Sequence, residues 1–147
     1  MNETCYLVDN NALVALTSNR IRSKFFRANC RVTADVLFEA DLHPEQSTLA
    51  QLVMEPTPEF LEQVRVIMRT VPLGDIRLID LYKNRGAADP GLIATILEAI
   101  AAEEGMLFSD IWVLVTNDRA VADKAAEFSV ASIRPEELAA LIDSFVE

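Results

Sequence analysis

Two short apolar runs, Cys5-Tyr6-Leu7-Val8 and Ile111-Trp112-Val113-Leu114-Val115-Thr116, each stop abruptly at acidic ground. Asp9-Asn10-Asn11 follows the first and Asn117-Asp118 the second. Uninterrupted apolar runs of this length, bounded by turn-forming residues, read as strands buried on both faces, which is the habit of parallel sheets. Each run then gives way to helical spacing. Ala12-Leu13-Val14-Ala15-Leu16 comes after the first, with Asn10 or Asn11 as the predicted cap, and a helix from Arg119 to Glu127 comes after the second. Strand, acid and helix in succession predict parallel βαβ units and an α/β fold. In such sheets ligands bind beyond the carboxyl ends of the strands, which is where Asp9 and Asp118 fall.

The intervening chain continues the alternation. Thr33 reads as the cap of a helix from Ala34 to Leu42, with Val36, Leu37 and Ala40 at helical spacing and Pro44 beyond its end. Ser47 to Pro58 reads as loop or broken helix. Glu59 to Val71 carries Leu61, Val64, Ile67 and Met68 on one helical face and stops at Pro72. Ile76 to Leu81 fits a strand or a short helix, and periodicity leaves both open. Asp89-Pro90-Gly91 opens a helix through Glu104, with Pro90 in the first turn and Gly105 past the end. A short strand from Ser129 to Ile133 and a helix from Pro135 to Phe145 complete the chain. Neither linker nor repeat interrupts it, and 147 residues suit one domain spanning 1–147.

Composition narrows the chemistry. A formal net charge of −10 argues against a general duplex-DNA binder. It leaves room for a carboxylate cluster that a divalent cation neutralises and so turns toward phosphate, or for a basic partner protein. With His43 as the single histidine and Cys5 and Cys30 as the only cysteines, Ser-His-Asp and Cys-His catalysis and a zinc site find no adequate ligands elsewhere. The two thiols are expected to be free in a reducing compartment. No apolar run approaches the ~20 residues of a membrane span, and the start lacks a basic secretory leader, so the expectation is a cytoplasmic protein with no membrane partner. Arg20, Arg22, Lys24, Arg27 and Arg31 surround Phe25-Phe26. This segment suggests either single-stranded RNA contact or a solvated arm anchored by its phenylalanines, and the anchored arm is the simpler expectation.

Singly, the acids have ordinary explanations: Asp89 and Asp118 as helix caps, Glu39 as a solvated helical glutamate. Together, four segments in order resemble the PIN-domain family, and within it the VapC-type toxin ribonucleases. They are Tyr6 to Leu16 (YLVDNNALVAL), Val32 to Ala40 (VTADVLFEA), Gly86 to Thr95 (GAADPGLIAT) and Val113 to Ala122 (VLVTNDRAVA). The resemblance implies a three-layer α/β/α domain with a parallel sheet of about five strands. It also implies a catalytic quartet of Asp9, Glu39, Asp89 and Asp118. Magnesium or manganese would then sit on Asp9, Asp89 and Asp118, with Glu39 as a further ligand or as the group that orients water. Hydrolysis of RNA phosphodiesters, a role as the toxin of a type II toxin–antitoxin pair, a basic antitoxin partner and a homodimer follow from the same likeness. Thr116 is expected to satisfy backbone or carboxylate groups in the site, and Arg119 either to meet a substrate phosphate or, the simpler expectation, to be a surface arginine. One departure stands out: Asn10 occupies a position where the family usually has Thr or Ser. Two other classes compete. One is the same fold used as a protein-interaction module with weak or no nuclease activity. The other is a phosphoacceptor receiver, which needs paired acids near the start and a late lysine; only Glu3 closely precedes Asp9, and no lysine follows Val115 at the required place.

Overall fold

The computed structural model describes residues 3–71 and 89–145. Its strands are β1 (Thr4–Val8), β2 (Cys30–Thr33), β3 (Val53–Met54), β4 (Ile111–Val115) and β5 (Ala131–Ile133). They form a single parallel sheet in the order β3-β2-β1-β4-β5. The chain therefore starts at the middle strand, walks outward to β3, returns across β1 to lay down β4, and walks outward again to β5. Right-handed crossovers then put the earlier connections on one face and the later ones on the other. Both faces of β1 and β4 are covered, which is why Leu7, Val8, Leu114 and Val115 are all fully buried and the runs do not alternate with polar residues. Val8 stands opposite Val115, so the two strands end level with one another.

Among the described residues the helices are α1 (Asn10–Ala15), α2 (Ser18–Arg22), α3 (Lys24–Asn29), α4 (Ala34–Glu39), α5 (Gln46–Ala50), α6 (Pro58–Met68), α7 (Asp89–Ala102), α8 (Arg119–Glu127) and α9 (Pro135–Ser144). α9 packs back onto α1 and α2, while α7 lies along α6 and against β2, β4 and α8. The result is the three-layer α/β/α arrangement expected from the sequence. Gly105, beyond the end of α7, has φ of +83°, a conformation glycine adopts without strain. No helix among the described residues is long and apolar enough to cross a membrane.

Several local expectations are met and several are corrected. Thr33 caps α4, its Oγ1 accepting from Val36 N–H at 3.1 Å. That helix ends at Glu39 rather than Leu42, because Ala40 leaves helical geometry at φ −96°, ψ 23°. The first helix is capped by Asp9, not by Asn10 or Asn11. Residues 47–58 hold the end of α5 and the two-residue strand β3. Ile76 to Leu81 lies outside the described residues. In the basic segment, Ser23 separates α2 from α3 and caps the second through its Oγ, 3.1 Å from Phe26 N. Phe26 is fully buried, and Phe25 packs between Tyr6 and Phe145 at ring separations of 6.0 and 5.5 Å. These rings are anchors in the core, and neither is free to stack a base. Arg20 forks onto the Asp143 carboxylate at 3.0 and 2.8 Å, tying α2 to α9. Cys5 and Cys30 are free thiols, and burial raises both.

Candidate active site

The order of the sheet reverses between β1 and β4, and the crevice of an open parallel sheet lies beyond the carboxyl ends of strands at such a switch. Asp9 sits there. Its backbone N–H still belongs to the sheet, donating to Val115 C=O at 3.0 Å, while its carbonyl accepts from Leu13 in the first turn of α1. The side chain is 4% exposed. Oδ1 accepts from Asn10 N–H at 2.7 Å, and Oδ2 accepts from the Thr116 hydroxyl at 3.0 Å. Burial pushes this carboxyl above its ordinary range; the two hydrogen bonds pull it back, and the negative charge of Asp118 pushes it further up.

Thr116 joins the acids across the switch. The same Oγ1 that donates to Asp9 accepts from Asp118 N–H at 3.1 Å, and Thr116 is itself buried. Asp118 then caps α8, with Oδ1 accepting from Ala120 N–H at 2.9 Å and Val121 N–H at 3.4 Å. Its other oxygen, Oδ2, has no hydrogen-bond partner among the described residues. Thr116 thus engages one carboxylate and one backbone N–H, the kinds of group the sequence reading gave it. Arg119, in contrast, points along α8 toward Asp123 at 4.0 Å and is almost wholly exposed.

Glu39 occupies the last helical position of α4. The residue is open to solvent, yet its carboxyl is raised, first by partial desolvation and then by the charges of Asp9 and Asp35. Glu39 and Asn10, the residue after Asp9, line one groove, which sets Glu39 near the same crevice. Asp35, in the first turn of α4, is an acid the sequence did not single out. Its Oδ2 would stand 3.8 Å from a Cβ built on Gly91, which brings the opening turn of α7 beside the opening turn of α4. Asp89 is the first residue of α7, two positions before Gly91, so its backbone belongs at this edge; its side chain lies outside what is described. The signal for Asp35 was present in the sequence, an acid within the turn that Thr33 caps, but it is indistinguishable there from a charge placed to suit the helix dipole.

All donors gathered here are carboxylate oxygens. Each oxygen of Asp9 keeps a lone pair after its one hydrogen bond, and Asp118 Oδ2 and the Glu39 carboxylate are unengaged among the described residues. Such a set suits a hard cation, magnesium or manganese, and not zinc. Among the described residues no three acids, histidines or cysteines are close enough together to hold an ion. No protein-family model matches this chain, and no curated protein matches it either.

Proposed function

We propose that this protein is a magnesium- or manganese-dependent endoribonuclease of PIN type that hydrolyses RNA phosphodiester bonds, acting as the toxin of a toxin–antitoxin pair. The observation that carries this is the Asp9–Thr116–Asp118 linkage at the switch between β1 and β4, with Glu39 electrostatically coupled to Asp9. Asp9, Asp89 and Asp118 would hold the cation. When bound, it lowers the pKa of a coordinated water and offsets charge on the scissile phosphate. Glu39, exposed at the end of α4, would take the proton of an attacking water or orient it. Thr116 keeps the Asp9 carboxylate turned into the crevice and fixes the turn that presents Asp118. Among the described acids, repulsion between Asp9, Asp118 and Glu39 persists until a cation relieves it. The site works on phosphate only in the loaded state. A basic antitoxin segment would meet the same acids, and a homodimer is part of the same proposal.

Purified chain is expected to cleave RNA in magnesium or manganese and to be silent in EDTA. Asp9→Asn and Asp89→Ala are expected to lose activity by at least about a hundredfold, the scale on which one preorganised catalytic group is worth. Magnesium should also raise the melting temperature of the wild type and leave that of Asp9→Asn unmoved, since a ligand stabilises only the fold that binds it. Equal melting shifts in both proteins, or equal cleavage by Asp89→Ala, overturns the assignment. A second possibility, an interaction module on the same fold, draws on the use of Asp9 and Asp118 as helix caps, which gives each a structural role without chemistry. Metal-independent behaviour in both assays would select it.

A further inference from the structure

Beside the acids, and opening onto the same side of the molecule, runs a groove of about 450 Å³ lined chiefly by Asn10, Val14, Glu39, Leu42, His43 and Pro44. Its size lies within the roughly 300–1,000 Å³ usual for small-ligand clefts. Two of its walls are apolar side chains held out in solvent: Val14 is 70% exposed and Leu42 92%. Burying neither serves the core, because α1 and the turn after α4 are already packed through Ala12, Leu13 and Val36.

The polar groups in the groove are unsatisfied in a particular way. The Asn10 side-chain amide, one residue from Asp9, has no partner among the described residues and offers a donor and an acceptor side by side. His43 accepts at Nδ1 from Glu45 N–H at 3.0 Å, which leaves its Nε2–H as a further free donor in the neutral ring. The Glu39 carboxylate and the apolar walls disfavour a phosphate here. Arg22, paired with Glu45 at 3.7 Å and with Asn19 at 2.8 Å, has most of its side chain in solvent.

We infer that this groove is a nucleobase subsite, which receives one unpaired base of a single-stranded RNA whose adjoining phosphodiester lies at the acids. The inference rests on the proposed nuclease function and adds its substrate class. A base has a flat apolar face for Val14 and Leu42 and a hydrogen-bonding edge for the Asn10 amide. Bases in a duplex are stacked and paired and cannot enter, so looped or single-stranded RNA is selected. Continuity with the acids decides the occupant: Asn10, whose N–H holds Asp9 Oδ1 at 2.7 Å, also lines the groove together with Glu39, so a strand crossing the acids leads its next nucleotide into it.

The test uses a single-stranded RNA carrying one 2-aminopurine, whose fluorescence reports loss of stacking on its neighbours, together with cleavage of the same RNA with and without an abasic residue beside the cut. Wild type is expected to perturb the fluorescence, and Leu42→Glu and Asn10→Ala to bind about tenfold more weakly, as loss of one base contact predicts. Both changes fall at solvent-accessible positions, and circular dichroism checks that the variants fold. The abasic RNA should be cut more slowly by wild type and at an unchanged ratio by Leu42→Glu. Equal fluorescence in all three proteins, or cleavage indifferent to the abasic residue, overturns the subsite while cleavage lost in Asp89→Ala leaves the nuclease standing. A fluorescence response that Leu42→Glu abolishes, in a protein that never cleaves, supports the subsite and sinks the nuclease. Leu42→Glu that turns a dimer into a monomer and leaves the fluorescence untouched assigns the groove to a second copy of the chain and overturns the inference.

Discussion

Thr116 shows how much one hydroxyl can settle. It donates to one buried acid and accepts from the backbone of another, so replacing it with the isosteric valine leaves the buried Asp9 Oδ2 without its protein donor. We expect Thr116→Val to lower stability by about 1–3 kcal/mol in urea titration and to reduce metal affinity or activity by about 10–100-fold. An unchanged metal titration would show that the hydroxyl merely fills space. Asp9 gives a pH signature with a definite sign. Its folded carboxyl lies above the ordinary 3.8, so the native chain keeps that proton to higher pH than the unfolded chain does. The stability this adds is complete below 3.8 and is lost as pH rises through the raised folded value. Asp9→Asn, which cannot ionise, should therefore gain in melting temperature over wild type as pH climbs from 3.8 toward neutrality in EDTA, and magnesium should close the gap. A gap that does not change with pH would place the Asp9 carboxyl in an ordinary solvated setting. Asp9 was legible as a candidate because an acid directly ending a buried strand stands out, although its capping of α1 was not read; Asp35 was not legible, since a first-turn acid is common on any helix.

At the scale of elements, legibility followed length and apolar content. β1, β4, α8 and α9 are found within a residue of where their patterns put them. β2 and β3 were missed for physical reasons. Cys30-Arg31-Val32-Thr33 carries a charge in its middle, and β3 has only two residues, too few for any period to show; both are held by pairing with β1 and its neighbour, not by local preference. The arginine-rich segment was ambiguous because sequence gives composition but not facing. Its fold resolves into two short helices whose aromatic side points inward. Phe26→Ala should accordingly cost about 3–5 kcal/mol in chemical denaturation, whereas RNA affinity of the folded fraction should hold. A large loss of RNA binding at unchanged stability would return Phe26 to the substrate.

For the molecule as a whole, the negative charge sets the character of any RNA encounter. A protein that neutralises 6–10 phosphates loses about 10³–10⁵ in affinity over a modest rise in salt. This chain carries a net charge of −10, and the proposed site is made of acids. Its affinity for single-stranded RNA at fixed magnesium should fall with a logarithmic salt slope no steeper than about −2, as binding titrations between low and moderate salt would show. A steep slope would require a basic track outside the acidic crevice. The α/β class could be anticipated from alternation alone, while the strand order could not, because crossovers joining distant segments leave no periodic trace. That order has a temporal consequence. Asp9 is synthesised 107 positions before its hydroxyl donor, and its neighbouring acid lies beyond that. Until β4 has been made and slotted beside β1, the nascent chain has no crevice. A nuclease of the kind proposed would thus be held without a complete site, by its own topology, until β4 is in place.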